Sequence, residues 1–159
     1  GIKEDIAIDY ASEYMLDVSL LKRIEEKSLL TLKDNYVLIE MSFISAPNDL
    51  YEIIFQLQLN NYIPVLAHPE RYSFFFNNFN QYSKLKRIGC KFQLNMLSLT
   101  GYYGRDVANV SNELLKEKKI DFVGSDIHCK KHIDCMFHKV IIKEIDSLEK
   151  AIESNNFFR

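Results

Sequence analysis

The sequence has little of what marks several common protein classes. Its 159 residues include no tryptophan, three prolines, five glycines and three cysteines. The chain has no low-complexity segment. Three cysteines, an odd number spread over Cys90, Cys129 and Cys135, do not form a disulfide framework. We therefore expect a globular protein of a reducing compartment.

The sequence also lacks the features of membrane and nucleic-acid-binding proteins. Its longest apolar runs have the length of a strand, far below the ~20 residues that a membrane-spanning helix needs. The net charge of −2 gives no electrostatic reason to bind nucleic acid or an anionic membrane. The opening stretch GIKEDIAIDY has neither the basic start nor the apolar core of a signal peptide. We expect a cytoplasmic protein with no nucleic-acid partner and no membrane insertion.

What the sequence does contain is an alternation of β-rich and helical segments. The β-rich runs lie at 34–42, 62–68, 91–97 and 120–128, and the helical patterns lie at 19–30, 46–61, 79–89, 104–119 and 139–154. Strands that alternate with helices of this length predict a parallel α/β sheet, open or closed into a barrel. Because no repeat or linker interrupts the pattern, we expect residues 1–159 to form a single domain.

Each predicted strand is followed by a side chain that can bind a metal ion. These residues are Glu13 after IAIDYAS, Glu40 after YVLI, His68 after PVLA, and Asp126 and His128 after DFVGS. In a parallel sheet or barrel such positions lie on one face, where active sites are built. Carboxylates and imidazoles together suit zinc, manganese or iron. Each residue alone is readily explained as a solvated strand end or a helix cap, but the five together predict a metal site.

The residues that follow His68 allow more than one interpretation. Arg71 has a guanidinium group that can hold two phosphate oxygens, although an ion pair with Glu70 would explain it equally well. Pro69 should keep His68 extended and prevent a helix from starting at once. We interpret Glu70 as a solvated loop residue or a partner of a ligand. Asn95 is either a hydrogen-bond partner of a ligand or an ordinary buried amide.

Two further segments suggest separate hypotheses. The run RYSFFFNNF suggests a pocket for a tyrosyl ring or a subunit contact, but most of its phenylalanines should instead anchor the core or a loop. Tyr72 is placed near the site because it adjoins Arg71. The segment DIHCKKHIDCMFH contains a set of potential zinc ligands, Cys129, His132, Cys135 and His138. Steps of three residues spread side chains around a helix, so this second zinc site is disfavoured.

Five segments together resemble a known family. They are EYM (13–15), YVLIEMS (36–42), PVLAHPERY (64–72), GCKFQLNMLSLTGYYG (89–104) and DFVGSDIH (121–128). They are similar to the polymerase-and-histidinol-phosphatase (PHP) superfamily, and within it to the manganese-dependent protein-tyrosine phosphatases of bacterial capsular and exopolysaccharide operons. The resemblance implies a distorted TIM-like (β/α)7 barrel that binds two to three ions of Mn²⁺, with Fe or Zn as alternatives. It also implies that a metal-activated hydroxide hydrolyses phosphotyrosine on a tyrosine kinase of polysaccharide biosynthesis.

By motif position, the resemblance implies roles for individual residues. The implied metal ligands are Glu13, Glu40, His68, Asp126 and His128. Of these, His68 and Asp126 are expected to be catalytic, together with Arg71, which would hold the phosphate. Tyr72 and Lys130 are expected to contact the substrate, Lys130 because it lies near the position of a second arginine in the family. The sequence has no Cys-x5-Arg loop, which excludes the cysteine-dependent phosphatase mechanism.

One part of the family pattern is absent. The family begins with a His-x-His strand, and this sequence contains no such motif. We therefore expect a fragment that lacks the first two β/α units and is weakly active or inactive alone. A homo-oligomer or a complementing segment is expected to cover its open sheet edges. The alternatives are a histidinol-phosphate or other small-molecule phosphatase with the same ligands, and a non-catalytic domain that binds the tyrosine-rich tail of the kinase.

Overall fold

The structure is a computed structural model that describes residues 9–159. Its centre is a sheet of five parallel strands in chain order: β1 Glu13–Met15, β2 Tyr36–Glu40, β3 Ile63–Ala67, β4 Lys91–Asn95 and β5 Phe122–Gly124. The helices are α1 Val18–Glu25, α2 Leu50–Leu59, α3 Asn80–Arg87, α4 Arg105–Lys116, α5 Lys130–Met136 and α6 Ile145–Ser154. The first four connect successive strands, so the prediction of a parallel α/β sheet is confirmed. Within the described part, none of these helices is long and apolar enough to cross a membrane.

Several boundaries differ from the predicted ones. The strand expected over 6–12 lies partly outside the described residues, and β1 begins at Glu13, the residue expected to follow it. Strand β5 ends at Gly124, and Asp126 has a φ of 47°, which is incompatible with an extended strand. Helix α5 is an additional element that the pattern does not predict. Its one buried side chain, Cys135, leaves it without an apolar stripe.

One face of the sheet packs under helices α1 and α2 and forms the main core. Successive strand residues point to opposite faces, so alternate positions along each strand enter this core. The residues on this face are fully buried: Val37, Ile39, Leu66 and Phe92. They belong to one cluster with residues of the two helices, among them Leu20, Ile24, Ile53 and Leu57. Burying each such side chain contributes about 1.5–3 kcal/mol to the stability of the fold. The loss of conformational entropy on folding offsets much of this gain.

The opposite face of the sheet carries the polar side chains and is only partly covered. Glu13 is exposed on this face, and Leu38 is half-buried. Near the amino-terminal ends of the strands, Phe157 and Phe158 pack on Tyr36, with ring centroids 4.8 and 5.8 Å away. A cleft remains near the carboxyl-terminal ends, where the predicted ligands lie.

Candidate active site

Three predicted ligands, Glu13, Glu40 and His68, converge in this cleft and form a carboxylate–histidine trio. His68 Nε2 lies 3.2 Å from Glu13 Oε1 and 3.7 Å from Glu40 Oε2. One ligand atom from each residue lies within 4.8 Å of the other two. Glu13 pairs in register with Leu38, two residues before Glu40, so the two carboxylates point to the same face of the sheet. The His68 side chain is only 5% exposed and lies below the two carboxylates, which are 30% and 28% exposed.

The backbone at His68 takes an unusual conformation directly after β3. Its φ of 35° and ψ of 54° are left-handed, which costs a non-glycine residue about 1–3 kcal/mol and is concentrated at functional sites. The expectation that Pro69 keeps His68 extended is therefore wrong. Pro69 instead begins a 3₁₀ turn, Pro69–Arg71. A proline ring disfavours the right-handed helical region in the preceding residue, yet it fits the first position of a helical turn.

The trio has the donor atoms that a divalent transition metal ion requires. Manganese, iron and zinc are all bound in proteins by carboxylate oxygens and imidazole nitrogens. The two carboxylates also repel each other: burial, and then the negative charge of Glu13, raises the pKa of Glu40. A cation between them would offset that repulsion.

The surroundings of His68 also fit a metal ligand. His68 Nδ1 and Glu70 Oε2 are both buried without a hydrogen-bond partner among the described residues. Burial raises the pKa of Glu70 and the nearby His68 acts in the opposite direction, so the carboxyl group lies within electrostatic range of the ring. A histidine that binds a metal through one ring nitrogen usually donates the other N–H to a carboxylate or carbonyl oxygen.

Asp126 and His128 line the same cleft as the trio but form a second set. Asp126 Oδ2 accepts hydrogen bonds from Arg71 Nη1 at 2.7 Å and from Asn95 Nδ2 at 3.0 Å. His128 Nδ1 lies 3.2 Å from Asp126 Oδ1. The structure thus brings all five predicted ligands into one cleft and divides them into a set of three and a set of two.

Arg71 also lies in the cleft, and two aromatic rings flank it. Its guanidinium carbon is 4.6 Å from the ring centroid of Phe43 and 4.1 Å from that of Tyr103. Its ion pair is with Asp126, so the alternative of a surface pair with Glu70 is wrong. A guanidinium group has five N–H donors, and the bond to Asp126 uses one of them. The remaining donors can bind an anion.

Glu70 is fully buried, so the interpretation as a solvated loop residue is wrong. Its Oε1 accepts hydrogen bonds from Asn95 N at 3.1 Å and from Ser98 Oγ at 2.6 Å. Burial raises the pKa of this carboxyl group. Asn95 in turn donates from Nδ2 to Asp126 and accepts at Oδ1 from Leu97 N. These bonds favour the interpretation of Asn95 as a partner of a site residue over an ordinary buried amide.

Neither Tyr72 nor Lys130, both expected to contact the substrate, lines the cleft. Tyr72 is fully buried, and its hydroxyl accepts from Met41 N at 2.9 Å and donates to Ala67 O at 3.2 Å. The 3₁₀ turn before Tyr72 leads the chain back under the sheet, so the ring joins the core. Lys130 is exposed at the start of α5, and within that helix it is His132 that lines the cleft.

The sequence interpretation missed three aromatic residues that line the cleft, Phe43, Tyr102 and Tyr103. Phe43 follows β2, and the two tyrosines belong to the GYYG loop that leads into α4. The phenylalanines of RYSFFFNNF pack in or against the core, as expected. The sequence signal for the two tyrosines is the pair of glycines that flanks them, Gly101 and Gly104. In the structure these glycines have φ values of 79° and 98°, which belong to a tight loop just beyond a strand.

The disfavoured zinc site does not assemble around α5. Cys129 is exposed, whereas Cys135 is buried. Over residues 9–159, the trio is the one group of three or more side chains whose potential ligand atoms converge. His132 Nδ1 lies within 3.3 Å of both His128 N and Asp126 O, so its ring is engaged at the cleft.

Comparisons with known proteins point to one family. A family model for capsular polysaccharide synthesis proteins, CpsB/CapC, matches residues 1–153. The tyrosine-protein phosphatase YwqE of Bacillus subtilis is 34% identical over 130 residues, which are 80% of this chain and 51% of YwqE. The tyrosine-protein phosphatase CpsB of Streptococcus pneumoniae is 27% identical over 133 residues, which are 80% of this chain and 55% of CpsB.

A solved structure agrees with these sequence matches. It comes from work on YwqE of Bacillus subtilis and CpsB of Streptococcus pneumoniae, which are metal-dependent tyrosine phosphatases. The TM-score is 0.72 at 30% identity, and the match covers 88% of this chain and 56% of that one. This chain therefore spans about half the length of the relatives it matches. The family resemblance is confirmed, and the chain belongs to the CpsB/CapC family of capsular polysaccharide synthesis proteins.

Proposed function

We propose that this chain contributes to the active site of a metal-dependent phosphatase that hydrolyses phosphotyrosine in proteins. The observation that carries the proposal is the single cleft in which the trio, Asp126 and Arg71 meet. Hydrolysis of a phosphate monoester is among the slowest uncatalysed reactions and needs accelerations of up to ~10²¹-fold. Metal ligands beside a guanidinium group supply two suitable devices, a site for a cation and a clamp for the phosphate.

The residues of the cleft take distinct roles in this proposal. The trio holds an ion of Mn²⁺, Fe or Zn, and Asp126 and His128 supply ligands for further ions. When bound, such ions polarise the phosphate and lower the pKa of water. Arg71 binds phosphate oxygens with the N–H groups that its ion pair leaves free, and the aromatic rings beside it restrict the guanidinium group. Asn95 orients Asp126 through its side-chain amide.

The natural substrate proposed here is a phosphotyrosine protein, most specifically a tyrosine kinase of polysaccharide biosynthesis. The names of the relatives as tyrosine-protein phosphatases support the phosphotyrosine group. The family's role in capsular polysaccharide synthesis supports a kinase of polysaccharide biosynthesis as the substrate.

The fold proposed for the whole enzyme is a PHP-type barrel of seven strands. In support, the five described strands run in chain order, and their polar face is partly uncovered beside the cleft. The two remaining strands would lie between β1 and β5 and carry additional ligands. Because those ligands would lie in the part of the relatives that this chain does not match, this chain alone should be a slow catalyst.

Hydrolysis of a phosphotyrosine peptide by the purified chain tests the proposed function. We expect slow phosphate release that requires Mn²⁺ and stops on addition of EDTA. His68→Ala should reduce the rate by more than the ~10–100-fold that is typical of losing a residue supporting a metal ligand. The control is His138→Ala, which changes an exposed histidine outside the cleft and should keep the wild-type rate.

Two results would contradict the proposal. If wild type and His68→Ala release phosphate at the same measurable rate, the cleft is not the site of the reaction. If histidinol phosphate is hydrolysed faster than the peptide, a small-molecule phosphatase with the same ligands is the better description.

A further inference from the structure

The cleft has an aromatic wall, formed by Phe43, Tyr102 and Tyr103, to which the proposed function assigns no substrate contact. We infer that this aromatic wall is a subsite for the ring of an aryl phosphate, and that it selects phosphotyrosine over aliphatic phosphate esters. The inference rests on the proposed function, because it takes the phosphate to be bound at Arg71.

The aromatic wall lies directly beside the phosphate clamp, Arg71. The rings of Phe43 and Tyr103 have their centroids 4.6 and 4.1 Å from the guanidinium carbon of Arg71. In an aryl phosphate, a single ester oxygen separates the ring from the phosphorus atom. A phosphate bound by Arg71 therefore brings its aryl ring within contact distance of the wall, whereas the alkyl carbon of an aliphatic ester has no ring to stack there.

Phe43 presents a ring that is fixed and yet accessible. It is 47% exposed, although it packs against two buried rings. Its centroid lies 5.4 Å from that of His68 and 5.8 Å from that of Tyr72, with an interplanar angle of 30° to both. Because these rings fix its position, a substrate ring can contact the exposed part of Phe43 with little loss of side-chain entropy.

Of the two tyrosines, Tyr103 lies beside Arg71, and Tyr102 continues the wall towards His132. Their rings meet edge to face with centroids 4.9 Å apart, and Tyr102 makes a similar contact with His132 at 5.3 Å. The hydroxyl of Tyr103 lies 3.5 Å from Asn95 Nδ2, which ties the wall to the network that holds Asp126. The wall is thus continuous with the site rather than a separate surface patch.

The test compares phenyl phosphate with methyl phosphate, measured by calorimetric titration of the Mn²⁺-loaded chain. We expect wild type to bind phenyl phosphate roughly three- to tenfold more tightly, the range for one stacked aromatic pair. Phe43→Ala should bring the ratio of the affinities for phenyl and methyl phosphate close to one. Phe43→Tyr, which keeps the ring, should restore the wild-type ratio. The affinity for Mn²⁺, titrated separately, should be the same in all three proteins.

A matched control and two contrary outcomes complete the test. Phe55 is 55% exposed on α2, outside the cleft, so Phe55→Ala should keep the wild-type ratio. If both esters bind and Phe43→Ala leaves the ratio of their affinities unchanged, the inference is overturned, but the proposed function is not. Failure of the metal-loaded wild type to bind either ester overturns both.

Discussion

At the residue scale, the three cysteines show how strongly local surroundings control chemistry in this chain. Cys90 is 1% exposed, and burial raises the pKa of its thiol to about 12. Cys129 is exposed at the start of α5. Because the thiolate is the reactive form, Cys90 should be almost inert at neutral pH.

Alkylation with iodoacetamide at pH 8, followed by mass spectrometry, checks this difference. We expect Cys129 to be modified within minutes in the native protein and Cys90 only after denaturation in urea. Cys129→Ser should abolish the fast modification without changing the slow one. Modification of Cys90 at the rate of Cys129 would show that the described packing around β4 is wrong.

The residues of the cleft were predictable to different degrees, for physical reasons. Glu13, Glu40 and His68 were predictable as a group because parallel strands deliver their ends to one face of a sheet. The burial of Tyr72 was not predictable, since a single 3₁₀ turn decides whether the ring enters the cleft or the core. Phe43 was missed because its loop has no hydrophobic period from which a ring orientation could be inferred.

At the element scale, helix α1 begins with a cap whose strength depends on pH. Asp17 has an extended backbone, and its Oδ1 accepts a hydrogen bond from Ser19 N at 2.8 Å. Hydrogen bonding with Ser19, first with its side chain and then with its backbone N–H, lowers the pKa of Asp17 from its ordinary value of 3.8. Asp49 occupies the same position before α2 but makes no such bond with its side chain.

Urea unfolding of Asp17→Ala measures this cap. At pH 7 we expect the free energy of unfolding to fall by about 0.5–2 kcal/mol, the usual effect of losing an aspartate cap. Because the pKa is lower in the folded state, the contribution is complete above pH 3.8 and is lost as the pH falls through the folded value. The difference between wild type and variant should therefore shrink below pH 3.8. A loss of similar size in Asp49→Ala at pH 7 would contradict the role of the hydrogen bond.

The elements themselves were predictable from periodicity more readily than their ends. Helices α2, α3 and α4 lie within the predicted ranges, because each has apolar residues at helical spacing, and Gly89 marks the end of α3. Strand β1 was misplaced, since the apolar run before Glu13 does not by itself define where pairing with β2 starts. Helix α5 was missed because its residues face solvent and have no apolar stripe.

At the scale of the whole molecule, the order of the strands explains why distant residues share a site. Each helical connection returns the chain to the same edge of the sheet, so Glu13 and Asp126 line one cleft although 112 residues lie between them. The alternation of strands and helices was sufficient to predict this parallel arrangement. Closure into a barrel stays a proposal, because the described strands leave β1 and β5 as edges. Homo-oligomerisation across those edges likewise stays a prediction.

Glu13, Glu40 and His68 are proposed to bind a divalent metal ion, and calorimetric titration with Mn²⁺ measures that binding. We predict that the wild-type chain binds Mn²⁺ near stoichiometrically, and that His138→Ala binds it equally well. His68→Ala should weaken binding by more than the ~10–100-fold that accompanies loss of a supporting residue. Equal affinities in wild type and His68→Ala, or a folded wild-type chain that binds none of Mn²⁺, Fe²⁺ and Zn²⁺, would contradict the claim.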